Sequence, residues 1–179
     1  MTEPTPDVHL CVVCTGNICR SPIAEFVLRD RLREAGLGAR VSVDSAGTGA
    51  WHLGDPADRR ALDVLQRHGY DGSAHRARQF RAEWFASTDL VLAMDRDHLA
   101  HLHALAPDAA ARASIQLFRA YDVDALTGGD LDVPDPYFDD HASFERVLSM
   151  VESAAAGIVG TLRNELTVAE AEGGEPGRG

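Results

Sequence analysis

The chain has 179 residues, of which 17 are basic and 28 acidic, and its formal net charge at pH 7 is −11. This length is enough for one domain with a substantial core, and the acidic balance argues against a nucleic-acid partner or an anionic membrane surface. Every basic residue is an arginine, which excludes sites that need a lysine, such as Walker-type ATP sites and Schiff-base centres.

The cysteines and the N-terminal segment indicate the compartment. Cys11, Cys14 and Cys19 fall within nine positions and no cysteine follows them, which is not the disulfide framework of a secreted protein. Residues 1–7 lack the basic and apolar pattern of a signal peptide, and no run of about 18 apolar residues predicts a membrane span. We therefore expect a cytoplasmic protein without a membrane partner.

The predicted elements begin after a lead, residues 1–7, which contains two prolines and is expected to be disordered. Residues 8–13 are apolar and β-branched and predict the first strand. After an eight-residue loop, Pro22 opens a helical pattern that Gly36 ends. Residues 40–44 alternate between apolar and polar side chains and predict a second strand.

The second half of the chain continues the alternation of helices and strands. Asp55 followed by Pro56 predicts a helix start, with Asp55 as the N-cap, and Gly69 ends that helix. The later elements are a strand at 90–93, a helix at 95–106, a strand at 114–118, an acidic loop at 122–140 and a last helix ending at 166. The polar, glycine-rich segment 167–179 is expected to be a disordered tail.

This alternation predicts a single-domain, three-layer α/β fold over residues 8–166, with a four-stranded parallel sheet and helices on both faces. Ligands in such folds bind at the carboxyl ends of the strands. Cys14, Ser45, Asp95 and Asp135 each follow one of the four predicted strands, so one crevice can gather them.

The segment from Cys14 to Ser21, CTGNICRS, carries the clearest chemical signal. It lies between the first strand and the first helix, where loop N–H groups and the helix dipole can converge on an anion. Arg20 adds a planar set of donors suited to phosphate oxygens, and Cys14 adds a nucleophile. This phosphate-binding loop predicts phosphomonoester hydrolysis through a phosphocysteine.

The longer run CTGNICRSP resembles the phosphate-binding motif of the low-molecular-weight protein tyrosine phosphatases, in particular bacterial, actinobacterial-like members. A bare Cys-x5-Arg pattern occurs by chance, whereas the full motif directly after a first strand is specific. The resemblance covers roughly residues 8–165 and includes VDSAGT at 43–48, Trp51, AHRARQF at 74–80, Met94-Asp95 and DPY at 135–137.

The resemblance implies hydrolysis of phosphotyrosine in proteins, with Cys14 as nucleophile, Arg20 as phosphate clamp and Asp135 as general acid and base. Acidic loops are usually only solvated, and the resemblance alone selects Asp135 among its acidic neighbours. Ser21 has two interpretations, because its hydroxyl can bind the Cys14 thiolate or cap the helix that begins at Pro22.

Further roles follow from the same resemblance. The predicted phosphate-binding and substrate-binding residues are Thr15, Gly16, Asn17, Ile18, Cys19, Ser21, Trp51 and Tyr137. Ser45, His75 and Asp95 are expected to support the loop, with Asn17 at a positive φ. The alternative for Trp51 is a core position.

Cys19 is expected to act as a redox partner of Cys14, which a low-pKa thiolate beside a resolving thiol would suit. The alternative for Cys19 is a small packing residue. The resemblance implies no metal and no cofactor, tyrosine-phosphorylated proteins as partners, and a monomer or a weak homodimer.

Four other functions compete with this interpretation. Arsenate reductases of this fold need two further cysteines, and none follows Cys19. Protein-arginine phosphatases typically have threonine where Ile18 stands. A zinc or iron–sulfur module lacks a second Cys-x2-Cys pair. A non-catalytic anion-binding protein would not need Cys14, Arg20 and Asp135 together.

Overall fold

The computed structural model describes residues 6–173, which contain a four-stranded, fully parallel sheet. The strands are β1 (Val8–Cys14), β2 (Val41–Gly47), β3 (Leu90–Ala93) and β4 (Ile115–Leu117). Their order in the sheet is β2-β1-β3-β4, and all three pairings are parallel. The carboxyl ends of the strands therefore lie together at one end of the sheet.

Helices cover both faces of this sheet. The α-helices are α1 (Arg20–Glu34), α2 (Arg59–Arg67), α3 (Arg96–Leu105), α4 (Ala109–Ala113), α5 (Val123–Gly128) and α6 (His141–Gly173). Helices α1, α2 and α6 share one core cluster with Leu10 and Val12 of β1. Helices α3 and α4 share the other cluster with Cys11 and Val13. The predicted three-layer α/β fold is confirmed.

Strand β1 is central, and its side chains from Leu10 to Cys14 are all buried. Because both faces of the strand are covered, its apolar run is continuous rather than alternating. Each fully buried leucine or valine contributes roughly 1.5–3 kcal/mol relative to an exposed one. Burial on both faces therefore anchors the strand that ends at Cys14.

Two predicted helix starts are wrong. Helix α1 begins at Arg20 rather than at Pro22, so Ser21 lies inside the helix and does not cap it. Helix α2 begins at Arg59, and its N-cap is Asp58, whose carboxylate accepts from the backbone N–H of Arg60. Asp55-Pro56 thus lies before the helix, because a competing cap three residues later satisfies the first free N–H groups.

The segment 122–140 is also more ordered than the sequence predicts. Asp122 caps the short helix α5, accepting from the N–H groups of Asp124 and Ala125, and Gly129 ends it in the left-handed region. Helix α6 continues to Gly173, so residues 167–173 are helical and not part of a disordered tail. The rest of the predicted tail, 174–179, lies outside the described residues.

At the other terminus, the predicted disordered lead falls mostly outside the described residues, which begin at Pro6. Asp7 is tied to the fold, since its backbone N–H donates to the carbonyl of Arg40 and its carboxylate pairs with the Arg40 guanidinium. Between residues 6 and 173, no helix combines the length and hydropathy of a bilayer-spanning segment.

Candidate active site

The loop between β1 and α1 curls around the end of the sheet. Asn17 lies in the left-handed region at φ 56°, and it is the only described non-glycine residue with a positive φ. Gly47, at the end of β2, approaches the loop so closely that a Cβ there would lie 2.6 Å from the carbonyl oxygen of Thr15. Backbone N–H groups of Thr48 and Gly49 donate to the loop carbonyls. The loop is therefore held by the neighbouring strand.

The buried side chain of Asn17 holds the loop from inside. Its Nδ2 donates to the hydroxyls of Ser21, at 2.9 Å, and Ser45, at 2.8 Å. Its Oδ1 accepts from the backbone N–H of Arg78 at 2.8 Å. All polar atoms of the amide are thus engaged, which favours the strained backbone conformation of this residue.

His75 and Ser45, which the sequence analysis expects to support the loop, both contact Asn17, and Glu25, which that analysis missed, contacts both of them. His75 Nε2 lies 2.7 Å from the carbonyl oxygen of Asn17. The buried carboxylate of Glu25 accepts from the Ser45 hydroxyl, lies 3.7 Å from His75 Nδ1 and pairs with Arg29. Glu25 is buried on α1 among apolar side chains, and only its partners on other elements reveal its role.

Cys14 lies at the end of β1 with its Sγ 3.0 Å from the Oγ of Ser21. Because Ser21 Oγ accepts from Asn17, its own hydrogen can go to Sγ at 3.0 Å or to the carbonyl of Ala46 at 3.4 Å, and the Sγ contact is the shorter. Of the two interpretations of Ser21, the structure supports contact with Cys14 and not a cap. A hydroxyl donor at this distance stabilises a thiolate.

Arg20 is almost fully buried and is held by contacts on several sides. Its Nη1 donates to Asp95 Oδ2 at 2.7 Å and to the carbonyl of Val133 at 3.1 Å. Its Nη2 donates to Thr15 Oγ1 at 3.3 Å and lies 3.3 Å from Asp135 Oδ2. Arg20 therefore links the phosphate-binding loop to Asp95, which follows β3, and to the segment that carries Val133 and Asp135.

Asp95 follows β3 and caps α3. Its burial acts to raise the pKa of the carboxyl, but the imidazole and the backbone N–H of His98, together with the charge of Arg20, outweigh burial and hold that pKa well below its usual range. Asp95 is therefore a carboxylate at neutral pH, and it supports Arg20 as a fixed counter-charge.

Arg60, which the sequence analysis missed, fixes the segment that carries Asp135. Its Nη1 and Nη2 donate to the carbonyls of Asp139 and Tyr137, both at 2.9 Å. The Asp58 carboxylate pairs with the same guanidinium, which lies 4.5 Å from the ring centroid of Phe144. Since the Asp58 N–H donates to the Ile18 carbonyl, this contact joins the segment to the phosphate-binding loop.

A cavity of about 180 Å³ opens above the loop. Its lining comprises Cys14, Thr15, Gly16, Ile18, Cys19, Arg20, Trp51, His52, Asp135, Tyr137 and Phe138. Trp51 is 75% exposed and Phe138 is 92% exposed, so the core alternative for Trp51 is wrong. Asn17 and Ser21 do not line the cavity and act from behind it. His52 and Phe138 are lining residues that the prediction omitted.

The three cysteines differ in position, and all are free thiols. Cys11 is fully buried in β1. Cys19 lines the cavity with Cys14, and its burial, together with the charge of Asp58, raises the pKa of its thiol far above the ordinary value. A disulfide between Cys14 and Cys19 stays a prediction. Among residues 6–173, no group of three or more ligating side chains is arranged to hold a metal.

Comparisons with known proteins identify the family of this chain. The family profile for low molecular weight phosphotyrosine protein phosphatase matches residues 9–168. A low molecular weight protein-tyrosine-phosphatase from Streptomyces coelicolor is 52% identical, over 88% of this chain and 95% of that protein. Low molecular weight protein-tyrosine phosphatase A from Mycobacterium tuberculosis is 46% identical, over 88% of this chain and 91% of that protein.

Solved structures show the same similarity. The protein tyrosine phosphatase from Entamoeba histolytica, crystallised with Hepes in its active site, has a TM-score of 0.82 at 31% identity, covering 88% of this chain and 98% of that one. YfkJ from Bacillus subtilis has a TM-score of 0.82 at 30% identity, covering 92% and 99%. The chain therefore belongs to the low-molecular-weight protein-tyrosine-phosphatase family of phosphoric monoester hydrolases.

Proposed function

We propose that this chain hydrolyses phosphotyrosine in proteins through a covalent phosphocysteine on Cys14. One observation carries the proposal: Cys14 and Arg20 of the phosphate-binding loop line one cavity with Asp135, which comes from a distant part of the sequence. A thiol, a guanidinium and a carboxyl group converging on one space can bind a phosphoryl group, attack it and move a proton at its leaving group.

In the first step, the Cys14 thiolate attacks phosphorus and forms the S–P bond while the bond from phosphorus to the tyrosine oxygen breaks. Asp135, in its acid form, donates a proton to the leaving oxygen. Arg20 is fixed through Nη1 by Asp95 and Val133. Its Nε and the Nη2 hydrogen that is not donated to Thr15 are therefore the donors for two phosphoryl oxygens as their charge redistributes.

In the second step, a water molecule attacks phosphorus and the S–P bond breaks, releasing inorganic phosphate. The Asp135 carboxylate takes a proton from this water. The Ser21 hydroxyl, 3.0 Å from Sγ, stabilises the leaving thiolate by a hydrogen bond. The same hydroxyl can stabilise the attacking thiolate of the first step, because the Asn17 side chain holds its oxygen in place.

The mouth of the cavity favours an aryl phosphate. Trp51, Tyr137 and Phe138 surround it with aromatic surface, and Tyr137 and Phe138 pack edge to face with centroids 4.8 Å apart. An aromatic wall can stack on the ring of phosphotyrosine. Ile18 lines the cavity, and the resemblance associates isoleucine at this position with tyrosine rather than arginine as the phosphorylated residue. Three free thiols suit the reducing cytoplasm that we propose as the location.

A panel of phosphorylated peptides tests the proposal. We expect the wild-type chain, in EDTA, to hydrolyse a phosphotyrosine peptide at least about 100-fold faster than matched phosphoserine and phosphoarginine peptides, measured as kcat/KM by phosphate release. EDTA chelates divalent metals and so inactivates any contaminating metal-dependent phosphatase. Preference for phosphoarginine would instead indicate an arginine phosphatase, and a folded, reduced chain without turnover would indicate an anion-binding protein.

Replacing Asp135 by alanine is expected to slow hydrolysis most for aryl phosphates with poor leaving groups, because good leaving groups need less protonation. The expected loss in kcat/KM is on the order of 10²–10⁴-fold for phenyl phosphate and clearly smaller for p-nitrophenyl phosphate. The measurement is kcat/KM across a series of substituted phenyl phosphates.

Asp139→Ala is the matched control, since Asp139 lies on the same exposed segment and contacts Arg60 only through its carbonyl. This control should retain the wild-type dependence on the leaving group. Equal slowing of all substrates by Asp135→Ala would assign the proton transfer to another residue.

A further inference from the structure

We propose that His98 is a positioning residue for the reaction: with Asp95 and Thr15 it closes a ring of contacts that orients Arg20 for phosphate binding. The inference rests on the proposed function, because it gives Arg20 the phosphoryl group as its ligand. It goes beyond that function by assigning a role to a histidine outside the cavity.

His98 lies in the first turn of α3, behind the loop, and only 4% of its surface is exposed. Its Nε2 is 2.8 Å from Thr15 Oγ1, and its Nδ1 is 2.9 Å from Asp95 Oδ1. Asp95 Oδ2 and Thr15 Oγ1 then each contact one terminal nitrogen of Arg20, at 2.7 and 3.3 Å. Four side chains thus form a closed circuit.

The positions of the hydrogens in this circuit can be assigned, because some of its atoms can only donate and others can only accept. Asp95 is a carboxylate and only accepts, so the ring nitrogen beside it, Nδ1, carries the hydrogen. The Nδ1 contact, at 2.9 Å, is too bent for a regular hydrogen bond, and the Nδ1–H dipole still points toward the carboxylate. In the neutral ring, Nε2 is then an acceptor and takes the Thr15 hydroxyl hydrogen. The Thr15 oxygen is left to accept from Arg20 Nη2.

Helix capping alone does not account for this arrangement. Asp95 caps α3 through the backbone N–H of His98 at 2.9 Å, which any residue at this position would supply. The imidazole adds the second link, from Asp95 to Thr15. Without it, the Thr15 hydroxyl can rotate away from Arg20, and Asp95 Oδ1 loses the Nδ1–H group beside it. A small misplacement of a phosphate clamp has large kinetic consequences.

A double-mutant cycle between His98 and Thr15 tests the proposal kinetically. We expect His98→Ala and Thr15→Val each to lower kcat/KM for a phosphotyrosine peptide by about tenfold and to raise the inhibition constant of inorganic phosphate in parallel. The double variant should lose no more than about twofold beyond either single variant, because both break one circuit. Losses that multiply, or a His98→Ala variant with unchanged kcat/KM, would overturn the proposal.

Two conservative variants separate positioning from packing. In His98→Gln the amide oxygen can stand near the place of Nε2 and accept from Thr15, whereas the shorter His98→Asn reaches only toward Asp95. We expect His98→Gln to recover part of the lost kcat/KM and His98→Asn to resemble His98→Ala. A higher kcat/KM for His98→Asn than for His98→Gln would contradict a positioning role. So would losses in kcat/KM that simply follow the loss of thermal stability of each variant.

The tautomer of His98 gives a readout that does not depend on turnover. In ¹⁵N-labelled wild-type protein at pH 7.5, the long-range ¹H–¹⁵N spectrum should show His98 protonated at Nδ1 and unprotonated at Nε2, with the His98→Gln spectrum identifying the signal. The Nε2–H tautomer would overturn the proposal. Absence of phosphotyrosine hydrolysis by wild type would refute the proposed function instead, so the two failures are distinguishable.

Discussion

Replacing Cys14 with serine is expected to lower kcat for a phosphotyrosine peptide by at least about 10⁴-fold, because a neutral hydroxyl is a far weaker nucleophile than a thiolate. The substitution preserves the site, since the serine hydroxyl can keep the contact that Sγ makes with Ser21. Inorganic phosphate should therefore still bind with an affinity close to that of wild type. Single-turnover kinetics and calorimetric titration with phosphate measure the two quantities.

The matched control for this variant is Cys11→Ala. Cys11 lies three residues earlier on the same strand and is fully buried in the other core cluster. Its loss should cost stability but leave kcat/KM within about twofold of wild type. Turnover that survives in Cys14→Ser, or that fails equally in Cys11→Ala, would remove Cys14 from its role as nucleophile.

Replacing Arg20 with lysine is expected to lower kcat/KM by about 10²–10³-fold, although the charge is kept. A lysine offers a point charge where two oxygens need a planar pair of donors. It also cannot contact Asp95, Val133 and Thr15 together, as the guanidinium does. The inhibition constant of phosphate, measured beside kcat/KM, should rise as well.

Arg33→Lys controls for the loss of a guanidinium from the same helix, because Arg33 lies at the exposed end of α1, away from the cavity. It should be kinetically silent. An Arg20→Lys enzyme with wild-type kcat/KM would show that charge alone suffices and that the planar geometry of Arg20 has no role.

The sequence predicted those parts of the molecule that depend on neighbouring residues. The apolar run of β1, the loop after it and the strand Leu90–Ala93 are local patterns, and the structure contains them as expected. The loop residues from Cys14 to Arg20 are close in space because they are close in sequence. Parallel topology then brings the ends of β2 and β3 beside them, as the chain order implied.

Contacts between side chains that are distant in sequence could not be predicted from the local sequence pattern. Glu25 lies among apolar side chains of α1. Its contacts with Ser45 and His75 form only when other elements pack against that helix. Arg60 and His98 look like ordinary polar helix residues in the sequence. Their contacts bridge 77 and 83 positions, to Tyr137 and Thr15 respectively.

Helix boundaries failed for a more local reason, which is competition between adjacent signals. Asp55 and Asp58 are both good N-caps, and the structure selects Asp58, whose carboxylate also binds Arg60. In the same way, the glycines and acidic residues of 122–140 predict a loop, yet Asp122 caps a short helix there. Propensity alone does not rank such alternatives.

The most direct test of the central claim is to trap the covalent intermediate. A phosphotyrosine peptide is mixed with the enzyme and quenched in acid within milliseconds, and peptide mapping by mass spectrometry then locates the phosphoryl group. We predict one phosphoryl group on the thiol of Cys14, present in wild type and absent in Cys14→Ser. Phosphate release without any phosphocysteine, or a phosphoryl group on another residue, would contradict the mechanism proposed for this site.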